Sequence, residues 1–120
     1  MYDIEIAVPI CLALNHRFED FKRYGLLNIG NHKILVSLLV GSESIDRLEE
    51  GWPEGVDVRV VSSSTNHVAT KTYYYYSEYL PNNLSGAKWY ARWDDDSFTD
   101  MSYLMKELSE FGSDLSLIHI

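Results

Sequence analysis

The chain carries a single cysteine, Cys11, in 120 residues. A lone thiol closes no internal disulfide and matches no multi-cysteine zinc pattern, so its expected role is that of a buried structural thiol. Basic residues are also scarce: 10 Lys and Arg stand against 18 Asp and Glu, a formal net charge of -8. Such a surface repels polyanions, which argues against a nucleic-acid partner, and a phosphate-bearing ligand needs local cations or a metal. No stretch approaches the roughly 20 apolar residues of a membrane span, and no basic segment leads an apolar one at the N-terminus. No membrane span and, by default, a cytoplasmic location are therefore expected. Repeats, low-complexity segments and linkers are missing too, leaving one domain over residues 1–120. With 46% hydrophobic and 23% charged residues, that domain has the composition of a folded core.

Periodicity supplies the elements. Ile4, Ile6, Val8 and Ile10 alternate with Glu5, Ala7 and Pro9, as a strand requires. Phe18, Phe21, Tyr24 and Leu27 recur every three residues, predicting a helix over 18–29 that Gly30 and Asn31 stop. The aliphatic run 34–40 suits a strand buried on both faces. A short helix is expected over 44–50, a third strand on Val56, Val58 and Val60, and a loop at Ser62, Ser63 and Ser64. Asn66 caps a predicted helix over 67–80, which Pro81, Asn82 and Asn83 end. Trp89, Ala91 and Trp93 form a fourth strand, and Asp100 caps a helix bearing Met101, Leu104, Met105, Leu108 and Phe111, stopped by Gly112. Residues 115–120 read as a fifth strand, whose open edge makes a homo-oligomer an expectation. Strand and helix alternate throughout, so the fold class is α/β: an open, mainly parallel sheet with helices on both faces. Ligands of such sheets bind outside the carboxyl ends of the strands.

At the end of the fourth strand stand Asp94, Asp95 and Asp96. Three adjacent carboxylates repel one another unless something neutralises them. In an extended segment Asp94 and Asp96 point to the same side and Asp95 away, so two carboxylates can reach one divalent metal. Oxygen ligands select ions such as Mn2+ or Mg2+, which keep positions free for substrate phosphates. The plainer reading is a solvated loop or helix cap, and Asp100 shows that capping is used nearby. An EF-hand is a poor alternative, because Phe98 and Met105 fall where its loop needs oxygen ligands. A DxD phosphatase would carry its acidic motif after an early strand. The four histidines, His16, His32, His67 and His119, have no metal-ligand spacing.

Residues 88–100, KWYARWDDDSFTD, resemble the DxD segment of the β-1,3-galactosyltransferase and Fringe-like glycosyltransferases. Upstream, HVATKTYYYYSEYLPNNLSGAKWY resembles their helix with a Lys-Thr pair. The N-terminal VPICLALNHRFEDFKRYGLLN is similar to the first strand and helix of family 2 glycosyltransferases, with extra residues between Ile10 and Asn15. Together these imply a GT-A fold, Rossmann-like, that binds a nucleotide-sugar donor, a UDP-sugar being expected, and transfers the sugar to a saccharide or other hydroxyl acceptor.

By the same resemblance Asp96 and Asp94 are metal ligands and Asp95 contacts the ribose or sugar. Pro9 and Ile10 match positions lining the base pocket, Arg17 one that approaches phosphate, and Asn15, of the Asn-Arg stretch, counts with them as a nucleotide-sugar-binding residue. Alternatives remain open: Pro9 ends a strand, Asn15 caps a helix, Arg17 is a solvated first-turn residue. Lys71 matches the family's helix lysine but is expected at the solvent, and of the four tyrosines at 73–76 some must be core and others exposed. No residue matches a catalytic base; Asp100 reads as a cap and Asp114 as part of a turn. These families place the base and acceptor surface after the region where this chain stops, so a truncated, donor-binding half is expected, with a noncatalytic nucleotide-sugar or metal-binding module as the alternative. A third reading is an α/β domain whose aspartates only cap and solvate.

Overall fold

All six residues of β1 (Ile4–Pro9) are buried in the computed structural model, which describes residues 2–10, 15–41, 48–62, 68–111 and 117–119. The reason is position: β1 is the centre of a five-stranded sheet of order β4-β3-β1-β5-β7, with β3 (Ile34–Val40), β4 (Val56–Ser62), β5 (Trp89–Arg92) and β7 (Leu117–His119). Every pairing in it is parallel.

Alternation along the strands sorts side chains to two faces. Ile4, Ile6 and Val8, with Ile34, Val36 and Leu38, pack against Phe18 and Phe21 of α1 (Asn15–Tyr24) and Met101, Met105 and Leu108 of α4 (Met101–Phe111). Ala7, Leu39 and Val61 face the other way, onto Tyr75. That side is covered by α2 (Val68–Tyr74), a π turn (Tyr75–Tyr79) and α3 (Leu80–Asn82). Helices thus cover both faces of an open parallel sheet, as expected. Among the described residues no helix is long and apolar enough to cross a membrane.

Glu5 also faces the tyrosine side, fully buried. A buried carboxylate needs partners, and its Oε2 has three. Ser37 Oγ donates to it at 2.8 Å, Arg59 Nη2 at 2.7 Å, and the Tyr75 hydroxyl also donates. Arg59 further spans to Ser37 and the Asn83 carbonyl and lies over the Tyr79 ring. Burial and the Glu5 charge push the Tyr75 phenol far above its ordinary value, so it stays a donor. Reading Glu5 as merely the polar half of an alternation misses that a central parallel strand has no solvent face.

Two helix boundaries differ from expectation. The helix predicted over 18–29 ends at Tyr24, and Leu26–Leu27 form a strand, β2, that pairs in parallel with β6 (Thr99–Asp100). Gly25 stands at the junction: its amide donates to the Phe21 carbonyl at 2.9 Å, and a Cβ there would stand 2.5 Å from the Phe21 ring. Asn28, in the left-handed region at φ 54°, then turns the chain and donates to Asp100. The helical segment expected to stop at about Leu80 runs through Pro81 to Asn82 and ends at Asn83, within the expected Pro81–Asn83 stop; in its π turn Leu80 donates to the Tyr75 carbonyl. The fifth strand expected over 115–120 is present at Leu117–His119, at the sheet edge beside β5; Leu115, Ser116 and Ile120 lie outside the described residues.

Other expectations hold. Asp100 caps α4 by accepting from the Tyr103 amide at 3.1 Å. Tyr75 is core and Tyr73 exposed. Of the helix expected at 44–50, Leu48–Glu50 are turn and bend; the remainder lies outside the described residues, as do Cys11, Ser63, Ser64, Asn66, His67, Gly112 and Asp114.

Gly25→Ala is expected to lower the unfolding free energy by about 1–3 kcal/mol, the range for overpacking, through displacement of Phe21. Urea titration checks this; an unchanged midpoint contradicts the proposed contact.

Candidate functional site at the carboxyl edge of the sheet

Strand order decides where a crevice opens. The chain steps from β1 to β3 and β4 on one side, then crosses back to β5 on the other, so the order reverses between β1 and β5. That switch point is where open α/β sheets bind ligands. The sequence-predicted residues border it. β1 ends in Pro9 and Ile10, Arg17 lies in the first turns of α1, and Asp94 follows β5 by two residues. Backbone bonds tie the end of β1 on both sides, the Ile10 amide donating to Leu39 of β3 and the Trp93 amide, just past β5, to Ala7. Asn15 is the first residue of α1.

The acidic triplet is not extended. The Ser97 amide donates to the Asp94 carbonyl at 3.1 Å, closing a turn with Asp95 and Asp96 at its centre. Alternation belongs to extended backbone, so in this turn it is no longer what relates Asp94 to Asp96. Asp95 and Asp96 instead share Arg17, whose Nη2 lies 2.6 Å from Asp95 Oδ1 and 3.2 Å from Asp96 Oδ2. Asp94 turns to Arg92, 3.2 Å away. Arg92 Nε in turn donates to Thr72 Oγ1 of α2 at 3.3 Å.

The turn is therefore held by arginines from different elements. The two grips differ in strength. Asp94 and Asp96 have side chains 55% and 61% exposed, and such pairs are worth about 0–1 kcal/mol. Asp95 is 5% exposed, so removing its partner leaves a desolvated charge. Burial raises the Asp95 pKa above the ordinary carboxylate value, Arg17 opposes the shift, and the flanking aspartates add to it.

Lys71 corrects an expectation of solvent exposure. It is 1% exposed, and its Nζ donates to the Ile10 carbonyl at 2.9 Å, bracing the end of β1 from α2. Lys71 and Thr72 are adjacent, so one helical turn supports both walls of the crevice. The roles of Lys71, Thr72 and Arg92 were not legible from spacing; the placement of Arg92 two residues before Asp94 was the available signal. A cavity of about 340 Å³ lies elsewhere, lined by Asp3, His32, Lys88, Trp89, Met105 and Leu108, and contains none of the predicted site residues.

No protein family, curated protein or solved structure matches the chain.

The chemistry accordingly rests on the residues. Among those described, no three His, Cys, Asp or Glu side chains group to hold an ion by themselves. Asp94 and Asp96 are exposed oxygen donors. They fit a hard dication held by one or two carboxylates with the rest of its shell left to water and phosphate. Asp95 is committed to Arg17.

A raised pKa means that the folded state binds the Asp95 proton more tightly than the unfolded chain does. Stability from this group is full below the ordinary carboxylate pKa, about 3.9, and declines as pH rises towards the folded value. Asp95→Asn is expected to remove that decline, so the variant gains on wild type between pH 4 and neutrality in urea titrations. A variant that loses ground as pH rises contradicts the assignment.

Proposed function

We propose that this domain is the donor-binding half of a metal-dependent glycosyltransferase that takes a nucleotide-diphosphate sugar, with UDP-sugar as the first candidate, and passes the sugar to a hydroxyl acceptor. The observation that carries this reading is the meeting of Arg17 with the Asp94–Asp95–Asp96 turn at the switch point between β1 and β5. The GT-A resemblance of the sequence supports it, because the same segments border the crevice. Carboxylate and guanidinium side by side suit a ligand with both a dication and a diphosphate. Either group alone does not.

In this reading Pro9 and Ile10 line the base pocket, and Asp94 and Asp96 hold Mn2+ or Mg2+. When bound, the dication supplies Lewis-acid compensation for charge on the departing diphosphate. Lys71 keeps the end of β1 in place through the Ile10 carbonyl, and Thr72 steadies Arg92 beside Asp94. The acceptor oxygen forms a bond to the anomeric carbon as the bond to the diphosphate breaks, and the acceptor proton needs a base. Each carboxylate of the turn is already held by an arginine, which favours as second reading a donor-binding module without transfer of its own.

Calorimetric titration of UDP separates these readings from a purely structural turn. With Mn2+ present the wild-type chain is expected to bind UDP, and the Asp94→Ala, Asp96→Ala double variant to bind at least about tenfold more weakly, a loss of roughly 1.4 kcal/mol. Equal binding by both proteins, or none by folded wild type, refutes a donor site. Release of sugar from a UDP-sugar then distinguishes transferase from binding module.

A further inference from the structure

Resting on the donor-site reading above, we propose that Arg17 is the site's resident counter-ion, competing with the dication for Asp96, so that metal and nucleotide bind strongly only together.

One guanidinium nitrogen, Nη2, spans both Asp95 and Asp96. Losing the two contacts has unequal costs. Asp95 is desolvated and cannot be left alone, whereas Asp96 is exposed and can be hydrated or take another cation. Arg17 therefore has one partner to keep and one to surrender. Its own Nε supports the same point: this donor is buried and makes no hydrogen bond, so the guanidinium is not in a fully bonded pose. A shift away from Asp96 leaves Arg17 anchored by Asp95 with donors turned to the crevice.

Charge makes the exchange conditional. Three carboxylates and two arginines sum to -1 at this corner, -3 plus +2. Adding a dication alone carries the sum to +1 and sets three cationic groups against one another, which weakens the hold of the carboxylates on it. A diphosphate anion arriving with the dication restores negative charge and gives the released guanidinium a bidentate partner. Nucleotide should therefore strengthen metal binding, and metal should strengthen nucleotide binding by the same factor.

Free Mn2+ measured by electron paramagnetic resonance, titrated with and without UDP, tests the proposal in the wild-type chain and in Arg17→Gln. The variant is expected to bind Mn2+ alone about tenfold more tightly, while the enhancement by UDP shrinks by about tenfold. Tighter binding should vanish when Asp96→Asn is added. The double variant Arg17→Gln, Asp95→Asn leaves no unpaired buried charge and serves if the single variant unfolds. Unchanged or weaker Mn2+ binding in both variants overturns the competition while leaving the donor site intact. Absence of Mn2+ binding by folded wild type, even with UDP, overturns both.

Discussion

The desolvated carboxylate of Asp95 can sit at the carboxyl edge of the sheet only because Arg17 meets it at 2.6 Å. That one ion pair links the first turns of α1 to the turn after β5, across the switch point of strand order. It also sets the position of a cation beside two exposed carboxylates. Most surface ion pairs do little for stability; this one is buried on its acidic side, so its loss strands a charge.

The rest of the fold presents this corner. β1 is buried on both faces and carries Glu5 inside, where Ser37, Arg59 and Tyr75 all converge on its Oε2. The network joins β1, β3, β4 and the π turn, and so fixes the tyrosine-bearing helices against the sheet. From there Lys71 reaches the Ile10 carbonyl and Thr72 reaches Arg92. Two buried polar clusters thus occupy one face of the sheet, one at its middle and one at its carboxyl edge. The opposite face is an apolar core of Phe18, Phe21, Trp89 and Met101.

Much of this was legible in the sequence. Alternation at Ile4–Pro9, the aliphatic run Ile34–Val40 and the valines of β4 each follow a period that backbone geometry imposes. The placement of the acidic residues at the end of β5 came from the same pattern. What escaped depends on contacts between distant segments. Position 25, just after α1, requires glycine because the Phe21 ring occupies the space a Cβ needs, and no local pattern shows this. Lys71 looks like a surface residue until the end of β1 is known to lie over it. Asp95 looks like the odd member of an extended triplet until the Ser97 amide closes the turn and Arg17 claims it.

Whether the turn and Arg17 together receive metal and nucleotide is measured most directly by paramagnetic broadening of backbone amide signals by Mn2+ in the presence of UDP. Loss of signal is expected to be confined to the turn from Asp94 to Ser97, the neighbourhood of Arg17 and the end of β1 at Ile10, with signals at Asp3 and His32 retained. Broadening spread over the acidic surface, or centred away from the turn, would contradict a donor site at this corner.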